Sequence, residues 1–253
     1  MTIFTYYLLP ITYYLITKLK GNVIAIAGID TGVGKSVATG LLARSLLESG
    51  SRVITQKMVQ TGCRDVSEDI LLHREIMGLP LQDVDRDGTT CPYVFSYPAS
   101  PHLAAGMENR TVDVSVIGDA TSRLQETFDT VLLEGAGGLL VPLRESLLFA
   151  DYLKEKGYPL ILVTSARLGS INHTLLSIEA CRKRGLQLNG LLYNLYGKID
   201  STIARDTRQV FCRSLREYGY LCPVADMPDQ DAVGGAFNPA DVEVLLEGNA
   251  AGS

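Results

Sequence analysis

The feature that most constrains this chain is a glycine-rich segment between an apolar run and a helical pattern. From Gly28 to Ser36 the sequence is Gly-Ile-Asp-Thr-Gly-Val-Gly-Lys-Ser, directly after the apolar residues 23–27. Glycines let backbone N–H groups close around phosphate oxygens, and a helix beginning near Lys35 adds the positive end of its dipole. The segment therefore predicts a phosphate-binding loop, with Lys35 on the β- and γ-phosphates and the Ser36 hydroxyl on Mg²⁺.

The spacing of this segment departs from the common motif. Five residues separate Gly28 from Gly34, where the usual pattern has four. The alternative interpretation is a tight, glycine-rich turn between a strand and a helix. The Lys-Ser pair and the flanking patterns favour the phosphate-binding loop.

Composition and charge narrow the class of protein. The chain has 253 residues, 46% hydrophobic and 20% charged, which is typical of one large globular domain or two small ones. A net charge of −5 gives no basic footprint for nucleic acid. Five cysteines without paired metal-ligand spacing suit a reducing compartment, so we predict a cytoplasmic protein that does not bind nucleic acid.

The first residues do not fit the pattern of the rest. Residues 1–17 carry no charge and contain Pro10, and Lys18 and Lys20 follow. A signal peptide would place positive charge before the apolar stretch, and about seventeen residues is short for a membrane span. We predict that residues 1–21 form an extension outside the fold. A peripheral membrane anchor, which these features disfavour, and an extra packed strand are the alternatives.

Apolar runs alternate with amphipathic helical patterns along the remaining sequence. This alternation predicts a single α/β domain over 22–248, a three-layer fold like that of P-loop NTPases with a mostly parallel central sheet flanked by helices. The predicted strands are 23–29, 52–57, 130–134, 160–164, 188–194 and, more weakly, 220–224. The predicted helices are 38–50, 171–185, 201–218 and 241–246, and residues 85–112 are predicted to be irregular.

Three predicted strands end in residues that could serve a phosphate site. Lys57, Glu134 and Asn194 each end a strand, and the carboxyl ends of parallel strands meet at one edge of a sheet. Lys57 could neutralise charge that develops during phosphoryl transfer, and Glu134 could hold Mg²⁺. A solvated lysine and a surface glutamate at a glycine turn are the alternatives.

Four more side chains carry a weaker signal. Asp69 begins a helical pattern and could be a second carboxylate for the metal, although an acid in a first helical turn also stabilises the helix dipole. His102 could act as a general base, but a lone histidine more often packs or donates hydrogen bonds. The same holds for His73 and His173.

Several segments together resemble the dethiobiotin synthetases. The resemblance covers about residues 23–228 and lies in the segments 28–36, 57–62, 100–102, 134–138 and 168–173 and in Asn194. It implies that the enzyme closes a cyclic urea on 7,8-diaminopelargonate with CO₂ (or bicarbonate) and ATP, the penultimate step of biotin synthesis. It also implies Mg²⁺ as cofactor and a homodimer.

The resemblance further implies a role for individual positions. The catalytic group would be Lys57, Lys35 and Thr31. The ATP-binding group would be Gly32, Val33, Gly34, Lys35, Ser36, Val37, Asp69, Glu134, Gly135, Ala136, Gly137, Asn194, Leu195, Met227, Pro228 and Asp229. The metal ligands would be Ser36, Asp69 and Glu134. The substrate group would be Thr61, Ser100, Gly169, Ser170 and Asn172, of which the last three would act from the other subunit.

Departures from the family pattern are few, and three rival functions stay open. Met58 stands where the family usually has proline, Ser36 replaces threonine, and Ile29 replaces a polar residue. A partition-type ATPase would carry a second lysine early in the phosphate loop, where this chain has Ile29 and Asp30. The second rival is an amidoligase of the cobalamin pathway. The third is a membrane-tethered nucleotide-binding regulator that uses the N-terminal apolar segment and lacks ligase activity. If the chain is instead the enzyme, deletion of residues 1–20 should leave soluble, active protein.

Overall fold

The computed structural model describes residues 21–197, 199–228, 237 and 239–248, and a six-stranded sheet forms its centre. The strands of this sheet are β1 (Asn22–Gly28), β2 (Val53–Lys57), β5 (Thr130–Gly138), β8 (Leu160–Ser165), β9 (Leu188–Asn194) and β10 (Val224–Asp226). Their order is β10-β9-β8-β1-β5-β2, and every neighbouring pair is parallel. Two pairs of short strands lie outside it, β3 (Gln60–Thr61) with β4 (Val94–Phe95) and β6 (Pro142–Arg144) with β7 (Leu147–Leu148).

Helices connect the strands and cover the sheet. They are α1 (Lys35–Glu48), α2 (Glu68–Met77), α3 (Asp83–Arg86), α4 (Pro101–Met107), α5 (Val114–Thr127), α6 (Phe149–Lys156), α7 (Ser170–Arg184), α8 (Ser201–Glu217) and α9 (Pro239–Glu247). Consecutive residues of β2 and β8 are all buried. Since side chains alternate between the two faces of a strand, both faces of the sheet are covered, as predicted for a three-layer α/β fold.

The sequence predicts the first five central strands to within a few residues, with one consequential error. β5 continues to Gly138, so Glu134 lies inside the strand and not at its end. The pairing of β5 with β1 resumes at Gly28 and Gly138 after a shift in register, and this pairing extends the strand past Glu134. The predicted strand 220–224 is wrong. The Tyr220 N–H still donates to Leu215 O at the end of α8, and pairing with β9 starts at Val224.

The prediction of an irregular segment over 85–112 is wrong in part. This segment contains the end of α3, the strand β4 and the helix α4. Its prolines suggest breaks in regular structure, but Pro101 occupies the first turn of α4. A proline is well tolerated there, since its missing N–H would have no partner within the helix.

Residues 1–20 lie outside the described residues, so the predicted extension and the domain limits 22–248 stay predictions. Gly21 is hydrogen bonded in both directions to Gln125 of α5. Among the helices in the described ranges, none combines the length and the apolar character that a membrane crossing requires.

The strand order fixes the position of the site. β5 lies between β1 and β2, and the register places Glu134 beside Ile26 on one side and beside Lys57 on the other. The phosphate loop follows β1 at the same edge of the sheet. Three chemistry-bearing segments that are distant in sequence therefore meet because of the sheet topology.

Candidate active site

The glycine-rich segment forms a turn that leads directly into a helix. Gly32 and Gly34 have φ angles of 71° and 101°, in the region that glycine adopts at low cost, and α1 begins at Lys35. A side chain at Gly34 would also collide with Asn194, whose Nδ2 would lie 2.6 Å from the added Cβ. The backbone of this segment thus requires glycine for two separate reasons.

Lys35 folds back over its own loop. Its Nζ donates to the carbonyl oxygen of Asp30 at 3.0 Å, and the side chain is buried. Burial, together with the neighbouring charge of Lys57, lowers the pKa of Lys35 to about 8. An anion placed beside the Lys35 ammonium would therefore stabilise its charged form.

Lys57 lies at the centre of a buried charge cluster. Its Nζ is 2.6 Å from Asp69 Oδ2 and 2.7 Å from Glu134 Oε1, and it donates to Gly135 O at 3.0 Å. Burial alone would lower the pKa of Lys57, but the charges of Glu134 and Asp69 outweigh it and raise the pKa above its ordinary value. Burial would likewise raise the pKa of Glu134, and Lys57 and His73 hold it well below its usual range. Lys57 and Glu134 are therefore both ionised at neutral pH.

Ser36 brings a third oxygen to the same point. Its Oγ lies 2.7 Å from Asp69 Oδ1 and 2.9 Å from Glu134 Oε1. One hydroxyl hydrogen can satisfy only one of these contacts at a time, so three oxygens, two of them on carboxylates, are held close together. In the described ranges no group of three or more His, Cys, Asp or Glu side chains could hold a metal. Two carboxylates and a hydroxyl are instead a donor set that suits Mg²⁺, which keeps several waters and binds phosphate oxygens.

Local sequence explains the position of Asp69. Ser67 caps α2 by accepting from the Ile70 N–H at 3.3 Å, and its own hydroxyl donates to Gln60 Oε1 at 2.7 Å. The cap fixes the start of α2, so Asp69 lies in the first turn, as predicted. One helical turn later, His73 lies on the same side of the helix.

His73 contacts Glu134, a contact that the sequence pattern does not predict. Its Nε2 is 2.8 Å from Glu134 Oε2, and the ring is fully buried. The sequence signal that could have placed His73 near the site is its spacing of four residues from Asp69 within a helix. His102 instead has a buried Nδ1 without a hydrogen-bond partner among the described residues, and it does not line the cavity beside the phosphate loop.

That cavity has a volume of about 730 Å³. One wall consists of predicted phosphate-site residues, namely Thr31, Gly32, Gly34, Lys35, Ser36 and Val37. The lining also includes Lys57, Thr61, Asp69, Ser100, Glu134, Ala136 and Gly137. Thr61 belongs to β3, and Ser100 precedes α4. The structure therefore brings both predicted substrate residues of the central segments to the predicted phosphate site.

Asn194 is also in contact with the phosphate loop, although it does not line the cavity. Its Nδ2 donates to Val33 O at 2.9 Å, and its Oδ1 accepts from the Tyr196 N–H at 2.8 Å. Leu195, the next residue in the chain, is half-buried, and so is Pro228. Met227 is buried, and its Cε is close to Gly34. Asp229, the last residue predicted for this group, lies outside the described residues.

The predicted substrate residues 169–172 do not line this cavity. They follow β8 at the start of α7, where Gly169 and Asn172 are exposed. Ser170 is buried, and its Oγ is 2.8 Å from the Oγ of Ser165. Leu168 is 90% exposed. Within one chain, this segment is thus separate from the charge cluster.

The fold and the site together define a P-loop nucleotide-binding enzyme. Residues 22–234 match the family model described as an AAA domain. The ParA protein of pNOB8, in a structure bound to nonspecific DNA, is similar in fold with a TM-score of 0.50 over 78% of this chain and 76% of that one. At 12% identity this likeness concerns the fold alone.

Curated relatives narrow the class further. The ATP-dependent dethiobiotin synthetase BioD of Chlorobaculum tepidum is 55% identical over 229 residues, covering 90% of this chain and 95% of the relative. The ATP-dependent dethiobiotin synthetase BioD 2 of Haemophilus influenzae is 54% identical over 185 residues, covering 73% and 97%. The chain belongs to the dethiobiotin synthetase family, and the resemblance noted in the sequence is confirmed.

Proposed function

We propose that this enzyme converts 7,8-diaminopelargonate, CO₂ and ATP into dethiobiotin, ADP and phosphate. The observation that carries the proposal is the meeting of Lys35, Lys57, Ser36, Asp69 and Glu134 at one cavity, in a chain of this family. Two cations and a hard oxygen donor set are what a phosphoryl-transfer site requires. The cavity also has room beyond the phosphate loop for a second substrate.

The proposed chemistry has three balanced steps. One amine of the substrate attacks CO₂ and loses a proton, which gives a carbamate. A carbamate oxygen then attacks the γ-phosphorus of ATP, and ADP leaves. Finally the second amine attacks the carbamate carbon, loses its proton and displaces phosphate, which carries away that carbamate oxygen. Phosphorylation is needed because a carbamate is otherwise a poor electrophile.

The lysines stabilise the charge that moves in the second step. Lys35, which is buried above the loop, would contact the phosphates, with Thr31 at the loop's exposed side. Lys57 would contact both the carbamate and the transferred phosphoryl oxygens. Because Asp69, Glu134 and Gly135 O hold its Nζ in place, little reorganisation is required when charge develops.

Mg²⁺ fits the oxygen set of Ser36, Asp69 and Glu134. When bound there, it would supply positive charge beside the phosphate oxygens and reduce their repulsion of an incoming nucleophile. The Glu134 carboxylate is already ionised without it, so no proton has to leave this ligand for the metal to bind.

For the nucleotide base, we propose the side of the phosphate loop where Asn194, Leu195, Met227, Pro228 and Asp229 follow two neighbouring strands. The support is the pair of hydrogen bonds that fixes Asn194 against the loop. Backbone groups of Ala136 and Gly137, which line the cavity next to Glu134, would approach the phosphates, and Gly135 would contribute by holding Lys57 through its carbonyl oxygen.

We propose a homodimer for the remaining substrate residues. Thr61 and Ser100 reach the cavity from the same chain, whereas Gly169, Ser170 and Asn172 would cap the substrate carboxylate in the partner's site. The exposure of Gly169 and Asn172, away from the charge cluster of their own chain, supports this arrangement. A two-fold axis would let one surface serve both subunits.

The decisive experiment follows carbon from labelled bicarbonate. We expect label to enter dethiobiotin only when both ATP and diaminopelargonate are present, with one phosphate released per product. Lys57→Ala protein serves as the matched control and should incorporate almost none. ATP hydrolysis that is indifferent to diaminopelargonate, with no labelled product, would contradict the proposed function.

A further inference from the structure

His73 is held between the proposed metal site and a second buried hydrogen-bond system. Its Nε2 lies 2.8 Å from Glu134 Oε2, and its Nδ1 lies 3.0 Å from Thr55 Oγ1. His73, Thr55 and Glu134 are all fully buried. Neither ring nitrogen therefore exchanges its partner with water.

The second hydrogen-bond system connects Thr55 through Arg74 to Asp85. Arg74 donates from Nη1 to Thr55 Oγ1 at 2.9 Å. It donates from Nε and Nη2 to the two oxygens of Asp85, at 2.9 and 2.8 Å. Asp85 in turn accepts from Thr90 Oγ1 and from the Gln82 N–H. Arg74 and Asp85 are buried, so this paired, fork-shaped contact holds the guanidinium in one orientation.

The direction of each hydrogen bond follows from what each group can donate. A guanidinium is only a donor, so Thr55 Oγ1 accepts from Arg74. The single hydroxyl hydrogen of Thr55 is then available for His73 Nδ1. The Glu134 carboxylate can only accept, so Nε2 carries the ring hydrogen, and in the neutral ring Nδ1 accepts from Thr55. In a neutral imidazole whose Nδ1 accepts, the hydrogen is on Nε2, and it points at Glu134. This tautomer is assigned from the network, and it satisfies every group along the chain.

The effect on Glu134 is to divide its two oxygens between separate tasks. Oε2 accepts from His73 behind the site, while Oε1 faces Lys57 and Ser36. We propose that His73 is a positioning residue that holds Glu134 in the rotamer needed for the metal, and that Thr55, Arg74 and Asp85 fix its tautomer. The inference rests on the proposed function insofar as Glu134 is taken to bind Mg²⁺ there.

The first test reads the tautomer in the unmodified protein without metal or substrate. Long-range ¹H–¹⁵N correlation spectra of histidine-labelled protein distinguish a nitrogen that carries hydrogen from one that accepts. The chain has three histidines, and loss of one signal set in His73→Gln assigns the residue. We expect hydrogen on Nε2 and an accepting Nδ1. Hydrogen on Nδ1, or on both nitrogens, would overturn the proposal.

The second test compares two variants of Thr55. Thr55→Val keeps the shape but removes the hydroxyl, whereas Thr55→Ser keeps it. For each, the affinity for the non-hydrolysable analogue AMP-PCP is measured by calorimetry with Mg²⁺ and with a chelator. Loss of an outer partner of a metal ligand lowers metal affinity about tenfold or more. Thr55 acts on Glu134 only through His73. We therefore expect Thr55→Val to lose up to about tenfold of the Mg²⁺-dependent gain in affinity, and Thr55→Ser to keep it.

A purely structural role predicts a different outcome. Thr55→Val would then weaken binding equally with and without Mg²⁺, or change neither, and either result would overturn the proposal. His73 itself offers a second pair if Thr55→Val does not fold. His73→Gln retains an N–H donor and should keep more of the Mg²⁺-dependent gain than His73→Leu; equal losses would count against a positioning role.

Both readouts are independent of turnover, so the two proposals can fail separately. Wild-type protein that binds AMP-PCP with Mg²⁺ but forms no dethiobiotin from labelled bicarbonate would contradict the proposed function alone. Normal synthesis by a wild-type enzyme with the opposite His73 tautomer would contradict the positioning role alone.

Discussion

The two groups of predicted site residues are organised in opposite ways. At the phosphate loop, Lys57 and Glu134 are buried, paired with each other and tied to Asp69 and Ser36. At the start of α7, Gly169 and Asn172 are exposed. The first group lines its cavity within one chain, and the second lies away from that cavity.

The difference shows which half of the site one chain can build alone. Buried charges keep a fixed geometry, because leaving any of them unpaired costs much free energy. Exposed groups exchange partners with water, so a hydrogen bond to them gains little until water is excluded. The nucleotide part of the site should therefore be a property of the single chain, and the cap on the substrate carboxylate a property of the proposed assembly.

The largest expected effect comes from Lys57→Ala. Loss of a positioned cation should reduce kcat about 10²–10³-fold, by analogy with the loss of one oxyanion donor. Glu134 would also remain buried beside Asp69 without its cation, which should lower the free energy of unfolding by about 3 kcal/mol. Dethiobiotin synthesis and urea unfolding of the purified variant measure both effects.

Lys35→Ala is the matched comparison. It should lose turnover to a similar extent but not stability, because burial of the Lys35 ammonium is unfavourable and lowers its pKa to about 8. Near-normal turnover in Lys57→Ala protein would remove Lys57 from the mechanism. Equal loss of stability in the two variants would contradict the distinction between Lys57, which is paired with two carboxylates, and Lys35, which donates to a carbonyl oxygen.

Glu134→Gln tests the metal side of the same cluster. It preserves volume but removes one carboxylate charge from the oxygen set, so the Mg²⁺ concentration for half-maximal activity should rise about tenfold or more. Exposed Glu126→Gln is the control and should behave as wild type. An unchanged Mg²⁺ titration would place Glu134 outside the metal site.

Asn172→Ala tests the exposed group. A lost hydrogen bond to the substrate carboxylate is worth about 1.5–3 kcal/mol, so the KM for diaminopelargonate should rise by about one to two orders of magnitude. The KM for ATP should stay nearly constant, because Asn172 would contact only the substrate carboxylate and does not line the phosphate-loop cavity of its own chain. Steady-state kinetics with each substrate varied in turn would show the split.

Mixing Asn172→Ala with Lys57→Ala chains sharpens this test. If each site borrows Asn172 from the partner, a mixed dimer has one site without either lesion, and some activity should return. If both residues act within one chain, every site keeps one lesion. Demonstrated subunit exchange without recovery, or a fully active monomer in sedimentation, would refute the shared site.

The smallest expected effect is that Lys35 takes up part of a proton when ATP binds. Free Lys35 is protonated below pH 8 and largely neutral above it, given its pKa of about 8. Nucleotide phosphates favour the ammonium form and so raise this pKa, and Lys57 stays charged because its pKa lies above the ordinary value. In the range of about pH 8 to 9.5, binding should take up a fraction of one proton, and ATP affinity should fall as pH rises.

Calorimetry in buffers with different ionisation enthalpies measures this uptake. Lys35→Met should abolish it, because the variant keeps a long side chain without the titrating ammonium. Proton release, or uptake that persists in Lys35→Met, would assign the effect to a different group.

Sequence reasoning succeeds where the signal is local. The phosphate loop, the helix start at Asp69 and the strand that ends in Lys57 are predicted from short patterns, and the structure brings these residues together. It fails where the outcome depends on distant partners. β5 continues past Glu134 because it pairs with β1, and no local sequence pattern predicts that pairing.

The chemistry available at the loop can be read from residue order alone, because glycine spacing, helix caps and strand composition act over a few residues. The contact of His73 with Glu134, 61 residues away, and those of Arg74 with Thr55 and Asp85 arise only in the folded chain. The physical reason is that a buried polar group must find a partner, and the packing of α2 on the sheet selects which one. The same side chains in an exposed helix would have bound water instead.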